Sequence, residues 1–135
     1  MAFEATYLGS NGWFIKFKKT NLIIDPWLKG DLIFPPGEWF FKGSLQEEIL
    51  IDKEIDIILL TQGLPDHCHV PTLEMFRKDI PIICPKSAIE TLKKIGFSSI
   101  KMLEKEDFKI SYKDNKVLIF NLKRKSFQIL NEANE

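Results

Sequence analysis

The stretch DIILLTQGLPDHCHVPT, residues 56–72, constrains the fold of this chain more than any other. Its first part, Asp56–Leu60, is mostly apolar and does not alternate, which is typical of a short strand buried on both faces in a sheet covered by helices. A polar turn follows, and it carries Asp66, His67 and His69. Open α/β sheets place their sites at the carboxyl ends of such strands, so this turn is the candidate site.

Length and composition limit the classes of function. The chain has 135 residues, 44% of them hydrophobic, which suits one globular domain with a packed core. Nineteen basic and nineteen acidic residues balance, so we expect no nucleic-acid partner. No apolar run approaches the roughly 20 residues of a membrane span. The start lacks the pattern of a signal peptide and only Cys68 and Cys84 are present, so we expect a reduced, cytoplasmic protein.

Three short strands are predicted before the central stretch. Phe3–Tyr7 alternates apolar and polar residues, Trp13–Lys18 follows a glycine-rich turn, and Leu22–Asp25 ends at a proline. Together they indicate an antiparallel β-meander. Residues 27–51 place large aromatic groups in an irregular segment. That segment is either a loop that caps the core or a flap that faces a substrate or a partner.

Helices and strands alternate after the central stretch. Pro71 suits the first turn of a helix that runs to about Lys78. Pro81–Cys84 is typical of another buried strand, and the capping box Ser87-Ala-Ile-Glu90 predicts a helix over Ala88–Ile95 that stops at glycine. The order strand, helix, strand, helix predicts a βαβα unit.

The remaining residues predict strands and then a tail. Ile100–Leu103 has the pattern of one more strand, and Phe108–Tyr112 with Lys116–Leu122 predicts a hairpin. Residues 123–135 carry little patterning, so we expect a poorly ordered tail.

The meander TYLGSNGWFIKF…NLIIDPWL, followed by DIILLTQGLPDHCH, resembles the amino-terminal half of the metallo-β-lactamase superfamily, in a divergent branch with the wording QGLxDHxH. The resemblance covers roughly residues 4–122. It implies an α/β fold that is half of a four-layer αββα sandwich: a truncated domain over residues 1–122, with the β-meander, the βαβα unit and the carboxyl-terminal hairpin. In that family the central strand leads into a His-x-His-x-Asp-His loop that holds one or two metal ions.

The resemblance implies a metal site that has lost two histidines. Gln62 and Leu64 stand where the first two histidines of the loop belong, whereas Asp66 and His67 match its Asp-His pair. Leucine cannot ligate a metal, and a glutamine amide is a weak donor where zinc prefers imidazole. The candidate ligands of zinc or another divalent metal are then Asp66 and His67, together with His69, which lies two residues beyond the pair and does not match a usual ligand of the family. Asp66 is also the candidate catalytic residue.

Other interpretations of this loop remain open at this point. Asp66 and His67 order the turn if no metal is bound. In members of the superfamily the residue matching Asp25 braces the metal loop, so we expect Asp25 to be a structural acceptor near the site, with Gln62 also structural. Cys68 beside His67 raises the alternative of an activated thiol and a redox function.

Two functions follow from the resemblance. The ancestral chemistry is metal-dependent hydrolysis, but two loop histidines are replaced and no histidine follows residue 69, so we expect the activity of this chain to be absent or weak. The alternative is a non-catalytic binding module. Half a sandwich would leave an apolar sheet face open, and a second copy in a homodimer or a partner chain would complete the fold.

Overall fold

A computed structural model describes residues 3–102, 108–112, 116–121 and 126–131 of the chain. The chain forms two compact units, Met1–Met102 and Leu103–Glu135. The first unit holds a six-stranded mixed sheet, a two-stranded sheet and two helices, and the second holds a three-stranded sheet. No helix in the described ranges is long and apolar enough to cross a membrane.

The predicted meander is present as one half of the six-stranded sheet. Strands β1 (Phe3–Gly9), β2 (Gly12–Phe17) and β3 (Thr20–Ile24) pair antiparallel in sequence order. The β1–β2 turn is short because the backbone adopts positive φ angles of 91° at Gly9 and 50° at Ser10. At Gly9 this conformation costs little, because glycine has no side chain.

The predicted βαβα unit forms the other half of the same sheet. Strands β6 (Ile57–Leu59), β7 (Ile82–Cys84) and β8 (Ile100–Met102) are parallel, and β6 lies beside β3, also parallel. Helices α1 (Val70–Leu73) and α2 (Lys86–Ile95) lie in the connections. The strand order is β1-β2-β3-β6-β7-β8, and the α/β prediction is confirmed.

The central strands are apolar on both faces. On one face Ile23, Ile58 and Ile82 are neighbours in register and pack in a core with the helix residues Leu73, Ala88 and Leu92. The next residues along the strands, which point to the opposite face, are also buried: Leu22, Ile57, Leu59 and Ile83. Burying one such side chain contributes about 1.5–3 kcal/mol, which explains the apolar run without alternation.

Both helices differ in extent from their predictions. Helix α1 ends at Leu73 instead of Lys78, because the amides of Met75 and Phe76 bond three residues back and tighten the chain into turns. Helix α2 begins at Lys86, with no side-chain capping bond at its start, so the predicted capping box is wrong. It ends at Gly96 with φ of 110°, as expected of a glycine stop.

The segment between β3 and β6 contains two strands that the sequence did not indicate. Strands β4 (Asp31–Ile33) and β5 (Lys42–Ser44) pair antiparallel. The turn that joins them presents Trp39 and Phe40, which are 80% and 63% exposed. These aromatic side chains therefore do not cap the core.

The second unit contains strands β9 (Phe108–Tyr112), β10 (Lys116–Asn121) and β11 (Ser126–Asn131), in the antiparallel order β11-β10-β9. The hairpin of β9 and β10 is confirmed, while its predicted turn at 113–115 lies outside the described residues. The structure differs from the expected tail at residues 126–131, because β11 pairs with β10 along its whole length. The strand propensity of a single segment depends on the partner strand beside it, which explains why the pattern of residues 126–131 alone did not indicate β11.

Candidate functional site

Asp25 stands directly after β3, where the parallel pairing of β3 and β6 brings two strand ends together. Its amide donates to the carbonyl oxygen of Leu59 at 3.0 Å, and its backbone has a φ of 43°, a conformation that aspartate tolerates better than most residues. The side chain is 2% exposed. A buried carboxylate of this kind needs hydrogen-bond donors around it.

Three donors satisfy the Asp25 carboxylate. The Thr61 amide donates to Oδ1 at 2.8 Å, and the Thr61 hydroxyl donates to Oδ2. The Nδ1 atom of His67 lies 2.8 Å from the same Oδ2. Asp25 therefore ties the end of β6 to the turn that carries His67.

The Asp25 contact determines which nitrogen of His67 carries the proton. A carboxylate oxygen is an acceptor, so Nδ1 is the protonated nitrogen in the neutral ring and Nε2 keeps its lone pair. Nε2 lies 3.4 Å from Oδ2 of Asp66. Two atoms that could ligate a metal, an imidazole nitrogen and a carboxylate oxygen, are thus adjacent in the turn.

Asn11, which the sequence did not indicate, completes this group from the β1–β2 turn. Its Nδ2 lies 3.1 Å from Oδ2 of Asp66, 3.3 Å from the Asp66 carbonyl oxygen and 3.4 Å from Nε2 of His67. All three of these atoms are acceptors, so the amide nitrogen, not its oxygen, faces them. Asn11 precedes the turn residues of the site by 55 positions, and no local signal links the two.

One oxygen of Asp66 remains without a partner. Its Oδ1 is buried and accepts no hydrogen bond from the described residues. Leaving a buried acceptor unpaired costs about 1–3 kcal/mol, and more for a charged group. This oxygen is therefore a point at which a cation or a donor would be stabilising.

The hydrogen bonds of His69 go to residues other than Asp66 and His67. It is buried, its Nε2 lies 2.8 Å from the carbonyl oxygen of Asp31, and its Nδ1 lies 2.8 Å from the Thr72 hydroxyl. Nε2 must donate to the carbonyl, and the hydroxyl donates to Nδ1 while accepting the Leu28 amide at 2.9 Å. Burial lowers the pKa of His69, which favours this neutral ring. Both nitrogens are therefore engaged, and they hold the start of β4 against α1.

The other residues of the turn are placed as follows. Gln62 and Leu64 are exposed, and the Leu64 carbonyl accepts the amides of His67 and Cys68. Cys68 is buried, and burial raises the pKa of its thiol to about 11. A thiol in that state is protonated at neutral pH, so the geometry does not support an activated cysteine.

Gly63 lets the turn approach helix α2 closely. A Cβ atom at this position would lie 2.7 Å from Oγ of Ser87 and 2.9 Å from its carbonyl carbon and oxygen. Only a residue without a side chain fits there, so the turn is packed against the first turn of α2.

Asp66 and His67 could supply two ligands of a metal site. Two ligands of a tetrahedral zinc, each about 2.0–2.2 Å from the ion, lie roughly 3.4 Å apart, which matches the separation of Asp66 Oδ2 and His67 Nε2. Within the described ranges, however, no group of three or more His, Cys, Asp or Glu side chains could hold a metal ion. The structure brings Asp66 and His67 together and does not add His69 to them.

Comparison with solved structures supports the same fold. A possible metal-dependent hydrolase from Veillonella parvula is 18% identical with a TM-score of 0.61, over 87% of this chain and 47% of that one. Igni18, a metallo hydrolase from Ignicoccus hospitalis, is 18% identical with a TM-score of 0.55, over 88% and 56%. CmlA, a diiron β-hydroxylase from Streptomyces venezuelae, is 14% identical with a TM-score of 0.55, over 96% and 29%.

This chain spans about half the length of the first two structures and less than a third of CmlA. No curated protein matches it by sequence. The model of the β-lactamase superfamily domain matches residues 4–130, which is nearly the whole chain. The chain therefore belongs to the metallo-β-lactamase superfamily.

Proposed function

We propose that this chain supplies part of the metal centre of a metal-dependent hydrolase, and that Asp66 and His67 are its ligands. The observation that carries the proposal is the 3.4 Å approach of His67 Nε2 to Asp66 Oδ2, beside the unpartnered Oδ1 of Asp66. The similar solved structures are a possible metal-dependent hydrolase, a metallo hydrolase and a diiron β-hydroxylase, and this likeness supports a metal centre in the present chain.

The chain's own residues would orient the ligands. Asp25 fixes the proton of His67 on Nδ1, so that the lone pair of Nε2 is directed away from the strand end. Thr61 holds the other side of the Asp25 carboxylate. A bound divalent metal in such a fold polarises the scissile bond and lowers the pKa of water.

Hydrolysis by residues 1–135 alone is proposed to be weak or absent. A catalytic zinc takes three protein ligands and an open position, whereas the described residues bring two together. The remaining ligands would come from a further polypeptide or from a second copy of this chain. We propose zinc as the first metal to test, because an imidazole and a carboxylate are common zinc ligands.

Titration calorimetry with zinc tests the proposal directly. We expect binding in the micromolar range or weaker, lost in both His67→Ala and Asp66→Asn. Asp79→Asn is the matched control, since it removes an exposed carboxylate that pairs with Arg77 on the surface. Equal zinc binding by His67→Ala and the unaltered chain would refute the proposed ligand pair.

A second candidate function is a binding module that assembles with a second copy or with a partner chain. The observation in its favour is the exposed aromatic turn between β4 and β5, where Trp39, Phe40 and Phe41 are consecutive and solvent-accessible. Exposed aromatic groups of this kind are enriched in protein interfaces.

Light scattering coupled to size exclusion tests this candidate. We expect a dimer that the double variant Trp39→Ser, Phe40→Ser converts to monomer, with Leu50→Ser, an exposed apolar residue outside this turn, as control. A monomer at all concentrations would leave a different partner chain as the form of this candidate to test by co-purification.

We also propose that the chain resides in the cytoplasm. Both cysteines are free thiols and buried, and a reducing compartment keeps thiols in that form. Cell fractionation with an antibody to the chain tests the location.

A further inference from the structure

We infer that the side-chain amide of Asn11 competes with a metal ion for Asp66 and His67 and so lowers the metal affinity of the pair. This inference rests on the proposed function, because it concerns the same two ligands. It assigns a function to Asn11, a residue of the β1–β2 turn that precedes Asp66 by 55 positions.

The geometry places an N–H donor where a cation would need open lone pairs. Asn11 Nδ2 lies 3.1 Å from Asp66 Oδ2 and 3.4 Å from His67 Nε2, and these two acceptors are 3.4 Å from each other. The three atoms thus form a nearly equilateral triangle. The two amide hydrogens serve three acceptors, because the Asp66 carbonyl oxygen also lies 3.3 Å from Nδ2. The shortest contact is to Asp66 Oδ2, so at least one hydrogen occupies a lone pair that a metal would use, and a metal can bind there only after this bond is broken.

The backbone of the turn does not explain the asparagine. The positive φ angles of the β1–β2 turn belong to Gly9 and Ser10, whereas Asn11 is outside that left-handed region. Asparagine is therefore not required there for its tolerance of positive φ. What its side chain does is bond to Asp66 and His67, and alanine at this position removes those bonds without backbone strain.

Zinc affinity of the unaltered chain and of Asn11→Ala, measured by competition with a chromophoric chelator, tests the inference. We expect Asn11→Ala to bind about tenfold more tightly, since this hydrogen bond no longer has to be broken. Asn21→Ala is the matched control, because its amide donates to the Glu54 carbonyl instead; its affinity should equal that of the unaltered chain.

Melting temperatures provide a second readout. With a chelator, Asn11→Ala should melt below the unaltered chain, and with saturating zinc it should gain more degrees than the unaltered chain gains. If Asn11→Ala fails to fold, Asn11→Ser serves in its place, because serine suits turns and is too short to reach both acceptors.

The outcomes separate the inference from the proposed function. Tighter zinc binding by Asn11→Ala supports both, including the case in which only the variant binds measurably. Equal or weaker binding by the variant, with binding by the unaltered chain, overturns the inference and leaves the ligand pair intact. No binding by either protein overturns the inference and the proposed function together.

Discussion

The Nδ1 atom of His67 lies 2.8 Å from Oδ2 of Asp25, a contact between residues 42 positions apart that joins the end of β3 to the candidate site. It exists because β3 and β6 are parallel neighbours, so that their carboxyl ends meet at one edge of the sheet. The same contact determines the tautomer of His67 and hence the direction of its free lone pair.

Asp25→Asn should destabilise the chain and weaken metal binding. Its amide can accept at only one atom, so either Thr61 or His67 loses a partner in a buried site, at a cost of about 1–3 kcal/mol. We expect zinc affinity to fall on the order of tenfold or more, as for other residues that orient a ligand histidine. Urea denaturation and calorimetry measure the two effects. An unchanged free energy of unfolding would show that Asp25 does not brace the turn.

Gly63→Ala should destabilise the chain by about 1–3 kcal/mol, because the added methyl group overlaps Ser87. The backbone carbonyl of Ser87, at 2.9 Å, is also too close to the added methyl group, so the double variant Gly63→Ala, Ser87→Ala should recover only part of the loss. Denaturant unfolding of both variants and of Ser87→Ala alone checks this. Full recovery in the double variant would mean that the hydroxyl alone limits the space.

His69 should titrate below its usual range. Burial lowers its folded pKa below 6.5, so below pH 6.5 the unfolded chain binds the proton more readily than the folded chain. Stability should therefore fall as the pH drops from 6.5 towards the lowered pKa, while this residue adds no pH dependence above that window. Proton NMR of His67→Asn, in which His69 is the single histidine, gives its midpoint. A midpoint at or above 6.5 would contradict the buried, neutral ring.

Both cysteines should resist a thiol reagent in the folded protein. Burial raises the pKa of Cys68 and of Cys84 to about 11, and both side chains are shielded from solvent. At pH 8 we expect an aromatic disulfide reagent to modify neither in buffer and both in denaturant. Cys84→Ala isolates the response of Cys68. Rapid modification of that variant in buffer would revive the redox hypothesis.

Much of the architecture was predictable because it depends on local chemistry. The alternation of Phe3–Tyr7, the apolar run before Thr61 and the glycine at 96 each report a backbone preference that the chain keeps in the folded state. The length of α1 and the strands β4, β5 and β11 were not predictable in this way. Helix α1 ends where the amides of Met75 and Phe76 bond three residues back, and β4, β5 and β11 each form by pairing with the neighbouring strand. The pattern of a single segment does not report either choice.

The candidate site also has features that the sequence predicts and features that it does not predict. The residues alone indicate that a polar turn with Asp66 and His67 follows a buried strand, and that two histidines of the family pattern are replaced. The contact of Asn11 with this pair and the separate hydrogen bonds of His69 become visible in the folded chain. They depend on which atoms lie within about 3 Å of a side chain, and strand pairing, not sequence proximity, determines those atoms.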